Sequence, residues 1–269
     1  MVQPVTGTTW NAGGYNDLYR AASERGGLQA VLIRDNRGAA TNISPFEDDL
    51  TTVAWSPFAQ DGKLRGDMFA SRLVDGKWAV NPAPNEGFWY IGAQTEDGGA
   101  ERNPNTNSDD LKILQSNFPY DSDITEKGKT IKFTAVDTLK PLIHRLESEL
   151  RLSDDNGNSL VPDLGSENYG YGVRLDTASV DRQIILLFSK SVAGKAVYRA
   201  EGYSLCKIDD QAAKKRTKTD PDTAGLTYKV LPDPYLMIPD PDGGSELVPG
   251  FEWVWVSGPG WDEMAPAGS

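Results

Sequence analysis

"KTIKFTAVDTLKPLIHRLESEL", residues 129 to 150, changes its period half-way along. Ile131, Phe133 and Ala135 fall on one face of an extended chain and Thr130, Lys132 and Thr134 on the other, so 129–137 is predicted as a strand with a core on one side and water on the other. Beyond it the spacing becomes helical. Leu142, Leu146 and Leu150 recur every four residues with Ile143 beside them, Pro141 falls in the first turn where no donor is needed, and Asp137 or Thr138 is placed to act as a cap. A half-buried strand that feeds a helix with one apolar stripe implies a sheet with a helix laid against it.

The flanking sequence carries more strands than helices. "LQAVLI" (28–33), "DMFASRLV" (67–74), "FWYIGAQT" (88–95), "YGVRLD" (171–176), "RQIILLFSK" (182–190), "KAVYRAEGYSLCKID" (195–209), "LTYKVL" (226–231) and "FEWVWVS" (251–257) are short and rich in β-branched or aromatic residues. Most are separated by Gly, Asn, Asp or Pro clusters. The expected fold is mainly β: a two-sheet β-sandwich or distorted barrel with one flanking α-helix and long extended arms. The division along the chain is an N-terminal arm (1–27), a core (28–231) with a long loop at 34–66, and an acidic Pro/Gly-rich C-terminal segment (232–269) with a closing strand at 251–257. Loops as long as 34–66 and the proline-rich 219–250 usually carry a function or meet a partner.

Composition narrows the function classes. The chain has 269 residues, 38% hydrophobic and 25% charged, enough for one large core or two small ones. No window has the apolar length of a membrane span, and "MVQPVTGTTWNAGG" lacks the pattern of a signal peptide, so folding in a cytoplasm without a membrane anchor is expected. Cys206, the single cysteine, excludes an intrachain disulfide, a thiolate metal cluster and a redox pair. A net charge of −12 argues against tight nucleic-acid binding, which takes clustered Lys and Arg. Residues 219–269 concentrate that charge, with nine acids against Lys229 alone.

Candidate chemistry is sparse. His144, the single histidine, is read as a solvated residue on the polar side of the helix, and no G-x-S-x-G signature accompanies it, so nucleophilic hydrolysis is not expected. Asp154, Asn156 and Asn158 alternate like the start of a calcium loop, but Ser159 and Gly165 stand where its glycine and its last glutamate belong. Turns are the expected reading there and at Asp240, Asp242 and Glu246, with a weak metal site as the alternative in each. "KKRTK" (214–218) reads as a solvated loop or a contact to an acidic neighbour, and Trp253 with Trp255 as a core face or an interface. No enzyme activity and no cofactor are expected.

Between residues 88 and 150 a strand ending "YIGAQTEDGG" precedes a polar stretch, "DDLKILQSNFPYDSDITEKGKTIKFTAVDT" and the helix "LKPLIHRLE". This order resembles the major tail protein, or tail tube protein, of long non-contractile-tailed phages, especially those infecting actinobacteria. Asp109, Asp110, Leu111, Gln115, Ser116, Pro119, Asp123, Ile124, Thr125, Phe133 and Asp137 occupy the places of that family's pattern. "KAVYRAEGYSLCKID" with "LTYKVLPDP", and the terminal "GPGW" (258–261), resemble its closing segments; about half the chain is covered.

The resemblance implies a virion subunit, assembled in the host cytoplasm, that polymerises into stacked, generally hexameric rings around a channel through which DNA passes without specific binding. Its implied partners are further copies of itself and the tape measure, tail terminator and distal tail proteins. Glu96, Asp97 and Glu101 are then candidate lumen or inter-ring acids, and Phe46, Glu47, Asp48, Asp49, Trp55 and Phe58 a candidate stacking loop. The competing expectations are a carbohydrate-binding β-sandwich using Trp and Tyr and, resting on the acid excess, an acidic glycoside hydrolase.

Overall fold

The computed structural model describes residues 27–74, 77–80, 87–95, 99–111, 114, 118, 120–165, 167, 169–173, 175, 179–192, 194–214, 218–219 and 221–264. The chain is mainly β. Its principal sheet is antiparallel and contains β1 (Leu28–Asp35), β4 (Trp89–Tyr90), β5 (Glu101–Leu111), β6 (Asp121–Ala135), β7 (Arg182–Val192), β8 (Lys195–Gln211), β9 (Ala224–Leu231) and β12 (Glu252–Ser257). Two small hairpins, β2 (Ser71–Val74) with β3 (Lys77–Val80) and β10 (Met237–Pro239) with β11 (Leu247–Pro249), lie outside it. Among the described residues the helices are α1 (Pro141–Glu147), the short α2 (Pro259–Asp262) and two 3-10 turns.

The strand order β4-β1-β7-β8-β9-β6-β5 closes on itself. Trp89 and Tyr90 pair with Ile33 and Leu32 of β1, and four residues later Gln94 bridges Ala135 at the end of β6, while Val136 N–H donates to Ala93 O at 2.9 Å. Residues 89–94 are therefore the stave that joins β1 to β6, which makes the expected distorted barrel the form the sheet takes. β8 makes this possible by its length. Its first part pairs with β7 and, on the other edge, with β12; its last part leaves β12 for β9, so the sheet forks at Tyr203 to Leu205.

Two apolar clusters lie on opposite faces of that sheet. The barrel interior holds Val31, Ile33, Ile131, Phe133, Ala135, Ile184, Leu186, Tyr203, Leu226 and Tyr228, closed by Leu142, Ile143 and Leu146 of α1. Leu32, Ile185, Leu187 and Ala200 point the other way and meet Ile43, Trp55, Phe58, Met68, Phe88, Leu236 and Trp255. Burial on both faces explains why β1 and β7 read as unbroken hydrophobic runs and not as alternation. Gly202 on β8 makes the second cluster possible, because a Cβ there would lie 2.6 Å from the Trp255 ring.

This second layer takes in the long loop and the Pro/Gly-rich segment. Residues 34–66 and 232–250 are bound to the barrel and to each other. Arg34 donates from Nε to Gln183 Oε1 (2.7 Å) and from Nη2 to Thr41 O (3.0 Å), and Gln183 donates to the same carbonyl at 2.7 Å. Asp233 is buried and accepts from Asn36, Ser204 and the Tyr235 N–H. Ser44 Oγ donates to Tyr235 O and accepts from Met237 N–H. On the barrel side, a buried ion pair of Asp35 with Arg182 holds the chain after α1: Arg182 donates to Leu150 O, and Asp35 accepts from the Leu152 and Ser153 N–H groups.

Several local expectations are corrected. The helix spans 141–147; Lys140 is its N-cap, without a side-chain hydrogen bond, Thr138 is buried, and Leu150 lies beyond the helix end, after Glu149 at φ 50°. Asp137 turns instead toward the Ala93 N–H (3.2 Å) and the Lys140 ammonium (2.6 Å), closing the barrel seam. Tyr171, Gly172 and Val173 are not in a strand. The expected N-terminal arm lies outside the described residues, apart from Gly27.

Candidate functional site

β5 and the first half of β6 form a two-stranded ribbon that the sequence reading passed over as a polar stretch. "ERNPNTNSDDL" has the composition of a loop, yet it pairs with β6 from Glu101↔Lys132 to Leu111↔Asp121, with a bulge after Asn107. Pro104 is tolerated because β5 is an edge strand and needs no donor on its outer side. β6 has β9 beside it only from Lys129 to Ala135, so from Gly128 outward the ribbon leaves the barrel with no third strand among the described residues. Seven residues of β5, 105–111, lie beyond that point, a projection of roughly 23 Å.

The root of the ribbon is fixed by charge. Arg102 reaches Glu201 at 3.5 Å, Arg199 reaches the same carboxylate at 3.2 Å, and Tyr203 donates its hydroxyl to it at 2.9 Å. Burial, then the neighbouring Glu201 charge, pushes the Tyr203 hydroxyl well above its ordinary range, so it stays a donor. Lys129 of β6 pairs with Glu252 of β12 across the fork. These contacts set the direction in which the ribbon leaves.

The outer part is built differently. Every residue of β5 is exposed, as are Asp121 to Thr125. Asp109 faces Asp123 directly across the ribbon, and like charges so placed repel each other unless water or a partner separates them. Leu111, Leu114, Phe118, Tyr120 and Ile124 are all exposed at or near the tip, Leu114 completely. An isolated two-stranded ribbon is marginal in water. Five large apolar side chains held in water at the end of one make the tip a candidate contact surface.

The residues singled out in the sequence fall in several places. Glu101 begins β5 at the ribbon root, exposed and opposite Lys132; Glu96 and Asp97 lie outside the described residues. In the candidate stacking loop, Glu47, Asp48 and Asp49 are exposed, whereas Trp55 and Phe58 are buried in the second cluster. Trp55 packs 5.1 Å from Trp255, Phe58 6.2 Å from Tyr198, and half-buried Phe46 stands edge-on to Trp253. The aromatics of that loop are thus committed to this chain's own core, and so is Trp255. The exposed apolar tip of the ribbon is the feature that sequence reasoning missed; the cluster of acids with Leu111, Phe118, Tyr120 and Ile124 was its available signal.

The chemical candidates are occupied locally. Asp154 accepts from the backbone of Asn156 and Asn158 and from the Asn158 amide, which lowers its pKa, and Asp240 accepts the Asp242 N–H. No group of three or more His, Cys, Asp or Glu placed to hold a metal occurs among the described residues. His144 is half-buried, not solvated: its ring stacks on Tyr171 at 4.7 Å and Tyr169 at 5.8 Å. Burial pushes the Cys206 thiol far up, so it remains neutral. Lys214 pairs with Glu147 at 2.6 Å, the acidic neighbour considered for "KKRTK". No helix among the described residues is long and apolar enough to cross a membrane. No protein-family model and no curated protein matches this sequence.

Proposed function

We propose that this chain is a structural subunit, the major tail tube protein of a long non-contractile phage tail, which polymerises into stacked rings around a channel for DNA. The observation that carries the proposal is the β5–β6 ribbon, a projecting edge with an apolar tip on a barrel against which the 36–70 and 232–250 segments are folded down. Heterologous contacts, in which one patch meets a different patch on the next copy, propagate into rings and filaments. A ribbon reaching about 23 Å from a rigid root can supply one side of such a contact. The acids Asp109, Asp110, Asp121 and Asp123 suit a wall past which phosphate slides without being held.

On this reading the role is architectural, the site of action is the virion, and the tape measure, terminator and distal tail proteins are the other partners. Negative-stain microscopy of the concentrated protein tests it. Rings or tubes with a central hole are expected, and a monodisperse monomer at all concentrations would overturn it. In the assembled tube the lumen should be acidic or neutral; a wall lined mainly by Lys and Arg removes the DNA-channel part of the proposal.

A further inference from the structure

The ribbon has two unlike faces. Residues opposite each other in an antiparallel pair share a face, and the face changes with every residue. Asp109↔Asp123 and Leu111↔Asp121 therefore put three acids on one face, while Ser108↔Ile124 and Asp110↔Ser122 occupy the other. On that second face Ser122 donates its hydroxyl to Asp110 at 2.7 Å. Tyr120, whose N–H donates to Leu111 O at 2.8 Å, continues the row of Ile124 and Ser122 toward the tip, where Leu114 and Phe118 are exposed. One side of the ribbon is acidic and the other mainly apolar.

The same chain carries a concave counterpart. Beside the second cluster the barrel wall has an open groove of about 530 Å³, where Phe69, Tyr90, Phe188 and Tyr198 are each only half-buried and Leu64 is exposed. Among the described residues its lining is uncharged, with Gln29, Ser71 and Ser189 as polar groups. Resting on the reading of the chain as a self-assembling subunit, we infer that this groove seats the apolar face of the ribbon of a second copy, Tyr120 and Ile124 foremost, with Asp109, Asp121 and Asp123 turned to water. The chain's own ribbon is held away from it: Arg102 and Lys129 tie the root to Glu201 and Glu252, and the ribbon then runs outward for about 23 Å. Charge selects the face, because an uncharged groove offers nothing to offset the desolvation of three carboxylates. Area suits a second copy as well. Phe118 and Tyr120 bury about 150–250 Å² each when covered, so with Leu114 and Ile124 the tip supplies most of the ~800 Å² per partner that a stable interface takes. A patch that meets a different patch leaves a free groove at one end and a free ribbon at the other, so the contact propagates.

The test mixes two variants that each lack one half of the contact. One has Asn105 joined to Gly128 through an Asn-Gly turn and keeps only the groove. The other carries Leu64→Glu, which sets a carboxylate in the groove lining, and keeps only a usable ribbon; Gln29→Trp, which fills the groove from another point of the lining, is a second blocked variant. Circular dichroism confirms that each is folded. By sedimentation each variant alone should be monomeric, and the mixture should form a 1:1 dimer that grows no further under conditions where the parent polymerises. Tyr120→Ala in the blocked partner should weaken that dimer about 30-fold, and Asp123→Asn on the opposite face should leave it unchanged. If the parent polymerises but neither blocked variant gives a dimer, the tip-to-groove contact is overturned and the tube reading stands. If the dimer forms but the parent's polymers are not tubes, the contact stands and the tube reading falls. A parent and a mixture that both stay monomeric overturn both. Self-association of the variant without a ribbon, or equal losses from Tyr120→Ala and Asp123→Asn, would also overturn the inference.

Discussion

Residues 36–70 and the ribbon of residues 101–128 look alike as sequence, both polar, irregular and without period, and they behave in opposite ways. The first is folded onto the barrel wall: Ile43, Trp55, Phe58 and Met68 are buried, and Thr41 and Ser44 are hydrogen-bonded to the barrel and to the 233–237 segment. The second leaves the barrel and buries nothing of β5. What separates them is where the large apolar residues sit. In the loop they recur along its whole length and find the outer faces of β1, β7, β8 and β12, while in the ribbon they gather at the tip, out of reach of any core.

Removing each region should break this comparison or establish it. Deleting 38–63 takes Ile43, Trp55 and Phe58 from the second cluster, and large apolar residues lost from a core cost about 2–5 kcal/mol each. Such a protein should fail to fold, with no cooperative melting transition. Joining Asn105 to Gly128, which face each other, through an Asn-Gly turn excises the ribbon at a point where nothing but β5 and β6 is paired. That variant should melt within a few degrees of the parent and form no tubes under the microscope. If the loop deletion folds and the ribbon deletion does not, the assignment of core and arm is reversed.

The next effect is on the anchoring of the barrel end. Arg182 and Asp35 are both buried, and removing one partner of such a pair strands the other charge, at a cost of about 3–5 kcal/mol. Arg182→Met should lower the urea midpoint accordingly and leave the ribbon's contacts unchanged. Gly202→Ala should cost less, about 1–3 kcal/mol, by pushing on the Trp255 ring. Tryptophan fluorescence would report the second change; an unshifted spectrum with unchanged stability would show that Trp255 moves away freely.

How legible these features were in the sequence follows from the physics of each. β1, β6, β7, β8 and β9 announce themselves because burial on one or two faces leaves a pattern in the residues, and α1 does so through Leu142, Ile143 and Leu146. β5 is held by backbone pairing to β6, by Arg102 at its root and by polar contacts such as Ser122 to Asp110, none of which demands β-branched or apolar residues, so it looks like a loop. The fork in β8 is a long-range event set by β12, which arrives about fifty residues later in the chain. Aromatic spacing in 46–58 was visible, but whether it faces inward or outward depends on Gly202 and Trp255 far away. The helix start was misplaced because Asp137, a good cap by type, is bound instead to Ala93 and Lys140.

The smallest effect concerns acid and again separates the two regions. Asp49, at the turn of the 46–53 loop, accepts hydrogen bonds from the Thr52 hydroxyl and from the Thr51 and Thr52 N–H groups. The Thr52 side-chain bond, then its backbone bond, lower the Asp49 pKa from 3.8 to about 2. Between those values the native state binds fewer protons than the unfolded state, so the stabilisation is complete above about pH 4 and is lost as pH falls toward 2. At pH 2 to 3 the Thr51 and Thr52 amides should therefore exchange faster with solvent, while pairs along β6 and β9 keep their protection. Asp49→Asn retains a side-chain acceptor but cannot titrate, and should remove the acid dependence of exchange at both threonines. A carbon-detected titration of the Asp49 carboxylate provides the direct check: a midpoint near 2 is expected, and one near 3.8 would mean that its hydrogen bonds to Thr51 and Thr52 do not persist in solution.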